Sequence, residues 1–297
     1  MFNKVYLGTT PIKKIYLGNT PIKYSTKKEN IIAFYGVLND PYSSYFPYNI
    51  EDKAPDWKEK VTDQGDGTST VIITASYGPS RMTFTYRDLL SIGYIDLSNI
   101  TSTASMFRGC TNLTSINGLT VTSNTTDINN MFSMCSNLIT IDVSSWDTSN
   151  VTNISNIFES CSNLISIIGL DKWDVSNVTS MEGAFRCRKL TAMNVGKWDV
   201  SNVTSMRYMF QYSVELKSLD ISHWDINFEC DTSYMLNNCT LLEELRLDYC
   251  DSDTISKIIN SAGFPTFSDD STHIIYCKEE NAYYPLPQGW VYSFVDQ

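Results

Sequence analysis

A fixed spacing between identical residues constrains this chain more than any other feature. Leucines recur at an almost constant step, at Leu113, Leu138, Leu164, Leu190, Leu216 and Leu242. Three other residue types keep nearly the same step: Phe107, Phe132, Phe158, Phe185 and Phe210; Cys110, Cys135, Cys161, Cys187 and Cys239, with Ser213 in the missing slot; and Trp146, Trp173, Trp198 and Trp224, each followed by Asp. A period of about 26 residues predicts stacked units that bury their apolar faces against one another, and hence an elongated recognition scaffold.

Two patterns alternate inside each repeat. Met206, Met209 and Phe210 are spaced i, i+3 and i+4, which predicts one apolar face of a short helix. Met131, Met134 and Cys135 have the same spacing and carry the same prediction. The stretch 138–143 then alternates apolar and polar residues, which predicts a strand. The fold class predicted is therefore an α/β repeat, a leucine-rich-repeat solenoid with a parallel sheet on one face and short helices on the other.

The repeats divide the chain into four parts. We predict a basic tandem β-hairpin anchor at 1–28, a β-rich linker and N-terminal cap at 29–95, six repeats at 96–251, and a C-terminal cap at 252–297. Within the N-terminal cap, the runs 71–75 and 82–86 flank a Gly-Pro turn and are predicted to pair with each other. The segment 63–67 is interpreted as a hairpin turn, with a calcium loop as the alternative that fits the required spacing less well.

The segment 1–28 is basic, although the chain as a whole is acidic. It holds six lysines and no acid, and since the formal net charge of the chain is −11, the remainder carries −17. This favours docking on an acidic protein partner, with a solvated tail as the alternative, and the acidic body argues against nucleic acid. The residues assigned to this anchor come from its tandem sequence: Tyr6, Leu7, Lys13, Lys14, Tyr16, Leu17 and Lys23.

No apolar run is long enough to predict a membrane span, and the opening residues lack the pattern of a secretion signal. The cysteines of the repeats are predicted to be small buried residues that form no disulfides along their series, while the redox state of Cys230, Cys250 and Cys277 stays open. The Trp-Asp pairs resemble a propeller signature, but a repeat this short cannot supply a four-stranded blade. We expect the tryptophans to be core residues, with a carbohydrate platform as the alternative.

Catalytic chemistry has little support in the sequence. His223 and His273 are the only histidines, and both are interpreted as structural. No phosphate loop, zinc spacing or cofactor motif is present, so we expect no enzyme activity, cofactor or metal. A carboxylate pair that cleaves glycosides stays open.

The exposed strand positions are the first candidates for ligand binding. They are mostly small and polar, which suits a glycan or a protein loop: Ser115, Asn117, Thr140, Asp142, Ser166, Asn194, Ser218, Asp220, Glu244 and Arg246.

Two resemblances bear on function. The stretch 173–181 and the Phe-x-x-Cys-x-x-Leu core of 132–138 closely resemble BspA-like leucine-rich repeats of bacterial surface proteins, over about residues 89–250. The resemblance implies adhesion or surface recognition without catalysis. Two repeats depart from it: Phe185-Arg186-Cys187 lacks one residue, and the sixth repeat lacks the usual turn after Trp224.

The tandem near the start is similar to the openings of bacteriophage tail, baseplate and fibre proteins. That resemblance implies a virion protein, made in the host cytoplasm and released on lysis, whose N-terminus contacts other virion proteins and whose repeats contact a bacterial surface protein or glycan. Trimers are usual for such fibres. The alternatives are a bacterial cell-surface adhesin and a glycan-degrading fibre. Tail or head location, receptor, binding face, oligomeric state and host stay open.

Overall fold

The structure is a computed structural model. It describes residues 100–116, 118–265, 273–282 and 284–294, except for the side chain of Asn194. Among residues 1–99 it describes only the backbone of the strands. Asn117, the turn at 64–67 and the anchor residues Lys13, Lys14 and Lys23 lie outside the described residues.

The regular secondary structure of the described residues consists mainly of short strands joined by turns. Their bounds are β1 Val5–Leu7, β2 Thr10–Ile12, β3 Tyr16–Leu17, β4 Thr20–Pro21, β5 Ile31–Leu38, β6 Tyr48–Glu51, β7 Lys58–Asp63, β8 Ser69–Ala75, β9 Arg81–Phe84, β10 Leu89–Ile95, β11 Ser115–Ile116, β12 Thr140–Asp142, β13 Ser166–Ile168, β14 Ala192–Asn194, β15 Ser218–Asp220, β16 Glu244–Arg246, β17 His273–Cys277 and β18 Trp290–Phe294. One α-helix, α1, spans Ser252–Ser261, and single 3₁₀ turns span Leu170–Lys172 and Glu279–Asn281.

The strands of the body pair in parallel with the strand of the next repeat. β12 pairs with β13, and β14 to β18 form a five-stranded sheet in chain order. Equivalent residues stand side by side, as Thr140 does with Ser166 and Ser218 with Glu244. The residue at the centre of β12, β15 and β16 is buried while its neighbours are more exposed, as the alternation of side chains in a strand requires. These parallel sheets are the coarse α/β repeat-like architecture expected from the sequence.

The predicted short helices are wrong. The segments that follow the Asn-Val-Thr turns are successive tight turns, in which alternate amides bond within the repeat and across to the next one. Met131 N donates to the Ile128 carbonyl at 3.3 Å, whereas Phe132 N donates to the Ile157 carbonyl at 2.9 Å. Because every second amide is used between repeats, the i to i−4 bonds of a helix cannot form. Met134, expected on the buried helix face, is 43% exposed, with a positive φ of 65°.

The recurring apolar residues form one continuous core. The phenylalanines and leucines at the repeated positions are fully buried or nearly so, and consecutive phenylalanine rings lie 5.3–6.1 Å apart. Each ring therefore packs between the rings of the repeats on either side. No single repeat could bury its phenylalanine alone, which is the physical reason for stacking.

The N-terminal strands join the body through β10, which pairs in parallel with β11. β10 also pairs antiparallel with β5, which continues to β8 and β7. The prediction that 71–75 pairs with 82–86 is wrong: β8 pairs with β5 and β7, and β9 pairs with β6. The tandem contains two antiparallel pairs, β1 with β2 and β3 with β4.

The C-terminal part extends the last sheet and covers the core. α1 begins after Asp251, whose carboxylate accepts a hydrogen bond from Thr254 N at 2.7 Å, and it buries Ile255 and Ile258. β17 and β18 then add two parallel strands, and Trp290 is 6% exposed with Nε1 donating to the Pro265 carbonyl at 3.1 Å.

Candidate functional site

The predicted binding residues on the exposed strand positions, here called the strip, lie along the sheet. Many of their polar side chains, however, form hydrogen bonds or ion pairs with residues close to them in the sequence. Thr140 and Asp142 are exposed, whereas Ser115, Ser166 and Ser218 are half-buried. Asp142 accepts a hydrogen bond from Ser144 N at 2.9 Å, and hydrogen bonds from Ser144 hold the pKa of that carboxyl below its usual range. Its carboxylate therefore stabilises the turn that follows the strand.

The polar side chains nearer the C-terminal end of the strip are also engaged in local contacts. Asp220 accepts from Ser222 N at 3.0 Å. Arg246 forms an ion pair with Asp248 and lies 5.0 Å from the centre of the Tyr276 ring, and the hydrogen bond to Asp248 raises its pKa. Glu244 is exposed, and the backbone of Asn194 lies in β14. The strip brings the predicted residues into two rows without assembling them into one pocket.

The Trp-Asp-x-Ser-Asn-Val-Thr stretch is a structural device. The four tryptophans are at most 4% exposed, and Trp146 and Trp173 stack at 5.7 Å, so the carbohydrate-platform alternative is wrong. In the repeats that begin after Trp146, Trp173 and Trp198, Asp accepts from the Ser two residues on, while Asn and Thr donate to backbone carbonyls of the preceding repeat. Each turn is thereby fastened to the one before it.

The cysteine series is also structural and has an unexpected donor role. Cys161 Sγ donates to the Phe132 carbonyl at 3.0 Å, and Cys187 Sγ to the Phe158 carbonyl at 3.0 Å. Ser213 makes the same bond to the Phe185 carbonyl at 2.9 Å, which explains why serine replaces cysteine there. All eight cysteines, including Cys230, Cys250 and Cys277, are buried thiols that form no disulfide. Burial raises the pKa of the Cys239 and Cys250 thiols to about 12.

The histidines lie apart from one another. His223 is exposed and stacks on Tyr249 with ring centres 4.4 Å apart. His273 is 4% exposed, and its Nδ1 lies 2.8 Å from the Leu242 carbonyl. Within the part of the chain that the structure describes, no group of three or more histidine, cysteine or acidic side chains could hold a metal ion. The described helices include none long and apolar enough to cross a membrane.

Sequence reasoning missed a second candidate surface, on the tight turns. It consists of Arg186, Arg207, Tyr208, Tyr212 and Tyr234, here called the tyrosine–arginine cluster. The Tyr208 and Tyr234 rings stack at 5.7 Å. The Arg207 guanidinium lies 4.6 Å from the centre of the Tyr208 ring, and that of Arg186 lies 5.9 Å from both the Tyr208 and the Tyr212 rings. The five side chains therefore form one connected set of contacts.

The cluster is accessible and only partly neutralised. Tyr212 is 52% exposed and Tyr234 49% exposed. Arg186 lies 3.6 Å from Glu159, while Arg207 makes no ion pair within 4.0 Å among the described residues. The buried Nε of each arginine has no hydrogen-bond partner there either. The sequence signal that could have revealed the cluster is the departure Phe185-Arg186-Cys187, because the missing residue corresponds to Tyr212 in the next repeat.

The core and the two surfaces define a protein of stacked parallel strands, α/β repeat-like in class, that presents exposed side chains in rows. The family described as "Mycoplasma protein of unknown function, DUF285" matches residues 80–169 and 164–262, which is more than half of the chain. The chain belongs to this family. No curated protein and no solved structure matches it.

Proposed function

We propose that this chain is a recognition protein whose repeat body is a leucine-rich-repeat solenoid, related to BspA-like surface proteins, with a period of about 25–26 residues. The observation that carries the proposal is a contrast between buried and exposed rows. The buried rows keep one residue type, as the five phenylalanines do, whereas the exposed row in the sheet runs Ser115, Thr140, Ser166, Ala192, Ser218 and Glu244. A constant core that carries variable rows of exposed side chains is the arrangement that repeat proteins use to bind extended partners.

We propose further that the protein is a bacteriophage virion component, a tail or head fibre, and that its basic N-terminus contacts other virion proteins. The support is the tandem of two short antiparallel pairs, which bury too little surface to be stable alone, together with its six lysines. A partner surface, or further copies of the chain, would supply the missing contacts. The repeat body would then face the bacterial surface.

A bacterial cell-surface adhesin is the second candidate. The family match favours it, because the family is described as a Mycoplasma protein and Mycoplasma is a bacterium. Both candidates are recognition proteins, and they differ in whether a virion or a bacterial cell carries the protein. A fibre that degrades glycans has weaker support, since no described site brings candidate catalytic groups together.

Immunogold electron microscopy of the source culture, with antibody against residues 89–250, separates the candidates. We expect gold on the tails or heads of viral particles. Gold on cell envelopes alone would replace the virion proposal by the adhesin. Gold on neither would contradict both.

Removal of residues 1–28 tests the attachment role. We expect the variant to keep the far-ultraviolet circular dichroism and melting temperature of the body, because its core lies at 100–290, and to be absent from purified particles. Normal incorporation of the variant would show that the N-terminus does not attach the protein. A matched control replaces the six lysines by glutamine and keeps the length, so that the contribution of charge is measured separately.

A further inference from the structure

We infer that the tyrosine–arginine cluster is a binding site for an anionic saccharide, one that carries carboxylate or phosphate groups on its sugar rings. The inference rests on the proposed function for the place where the saccharide occurs, the bacterial surface. The chemistry of the cluster supports it independently of that place.

The first argument is the cost of placing tyrosine in these turns. Tyr208, Tyr212 and Tyr234 have positive φ values of 59°, 62° and 60°. The residues at the position of Tyr208 and Tyr234 in the four earlier repeats are Ser105, Asn130, Asn156 and Gly183. Glycine and asparagine adopt this conformation with little strain, whereas a bulky side chain there is uncommon because its backbone is strained. Three tyrosines at such positions on adjoining turns call for a reason other than folding.

The second argument is the incomplete pairing of the two arginines. The chain carries a net charge of −11, so an arginine has many potential partners. Among the described residues Arg207 makes no ion pair within 4.0 Å and only helps, at longer range, to lower the pKa of the Asp231 carboxyl. Arg186 shares Glu159 with two hydroxyl donors, Ser133 at 2.8 Å and Ser160 at 3.1 Å. A buried N–H without a partner costs free energy, and both Nε groups are in that state among the described residues. Both arginine side chains are half-buried. A carboxylate or phosphate bound at either guanidinium would pair with a charge that the described residues neutralise only in part, because its oxygens match the fork of a guanidinium.

The third argument is the shortened turn. Ser160 N donates to the Arg186 carbonyl, and Tyr212 N to the Asn237 carbonyl, so Ser160 and Tyr212 occupy equivalent positions. The repeat between them has no equivalent residue, because Cys187 follows Arg186 directly. The row therefore lacks one side chain beside Tyr212, at the place where Arg186 approaches its ring. The deletion thus leaves the Arg186 guanidinium, and no further turn residue, beside the Tyr212 ring.

The fourth argument favours a saccharide over an acidic peptide. About half of the Tyr212 and Tyr234 side chains is exposed, and a sugar ring can lay its apolar C–H face on such a ring. The amides of Gln211 and Asn237 lie beside the cluster and bond each other at 3.2 Å. Amides both donate and accept hydrogen bonds, which suits hydroxyl groups. The side-chain carboxylates of a peptide would use the arginines alone.

The repeats themselves supply the variants for a test. Tyr208→Asn introduces the residue found at Asn130 and Asn156, and Arg207→Ser introduces the residue found at Ser155 and Ser233. Both variants should fold, because the same turns already accommodate these residues. Tyr249→Asn is the matched control, since Tyr249 is 63% exposed and ring-stacked but lies outside the cluster.

Binding of the full chain is measured by calorimetry with four probes: polygalacturonate, phosphomannan, neutral galactan and poly-glutamate. We expect binding to at least one of the two anionic saccharides and none to galactan. We expect Arg207→Ser and Tyr208→Asn each to weaken binding about tenfold or more, as loss of a hydrogen bond to a charged group does, and Tyr249→Asn to leave it unchanged. Binding should also weaken as salt increases.

Three results would overturn the inference: no binding to either anionic saccharide, equal binding to poly-glutamate, or unchanged binding by both cluster variants with melting temperatures like that of the unaltered chain. Adsorption to host cells separates this inference from the proposed function. If the cluster variants still adsorb to cells, recognition stands and uses another surface. If the unaltered chain binds a saccharide but adsorbs to no cell, the site stands and the proposed function fails.

Discussion

Truncation of one phenylalanine in the core should destabilise the body more than any surface change. Phe158 is fully buried, and its ring lies 5.7 Å from that of Phe132 and 6.1 Å from that of Phe185. Phe158→Ala removes the ring from the centre of the row. Because each repeat depends on its neighbours for burial, the gap weakens two interfaces between repeats at once.

The expected magnitude follows from burial and from the two ring contacts. Burial of phenylalanine in a packed core is worth about 3–5 kcal/mol on truncation to alanine. Each aromatic pair adds about 0.5–1.5 kcal/mol beyond burial, so we expect a loss in the upper part of the first range. For a body of this size, about 3–5 kcal/mol lowers the melting temperature by about 6–20 °C.

Thermal unfolding of the full chain, followed by circular dichroism, measures this loss. Ile139→Ala is the matched control, because Ile139 is 50% exposed and its truncation leaves the core intact. We expect the control to change stability by less than about 1 kcal/mol. If Phe158→Ala behaved like the control, the ring would not lie in the core and the register of the repeats would be wrong.

Two further predictions concern the tryptophan and cysteine rows. Trp198 Nε1 donates to the Leu170 carbonyl at 3.0 Å, whereas Trp173 Nε1 has no partner among the described residues. Trp198→Phe should therefore lower the free energy of unfolding, measured in urea, by about 0.5–1.5 kcal/mol more than Trp173→Phe does. Equal losses of stability in the two variants would contradict the hydrogen bond. Burial raises the pKa of Cys239 and Cys250 from 9.0 to about 12. The contribution of the two neutral thiols to the free energy of unfolding is therefore fully present below about pH 9 and is lost as the pH rises towards 12. Cys239→Ser should therefore reduce the loss of stability in this range, and an unchanged pH profile would refute that linkage.

The sequence pattern predicted the core residues and the strands of the body. The identity of the core residues was readable, because the same apolar side chains recur along the sequence at positions that the structure buries. Phe132 and Leu138 are examples, and both are fully buried. The strands at 140–142 and 218–220 were also readable from alternation.

The backbone between the strands was decided only by the tertiary structure. Met206, Met209 and Phe210 are all buried, as a helix face would be. Two successive turns with a period near three place them on the same side, so the apolar pattern alone cannot distinguish turns from a helix. The carbonyls of the next repeat decide between them: Phe210 N donates to the Met235 carbonyl at 2.9 Å, and this bond exists only when the two segments lie side by side.

The candidate sites were also predicted only in part from the sequence. The sequence determined which strand residues face outwards, since alternation assigns them, but it did not show that Asp142 and Asp220 are occupied by the turns that follow them. The tyrosine–arginine cluster unites residues from three repeats, and no local pattern connects Arg186 with Tyr234. Stacking places equivalent positions of neighbouring repeats next to each other. The single sequence therefore determined the rows and their core, whereas the contacts across the rows, and with them the proposed binding surface, arise only in the tertiary structure.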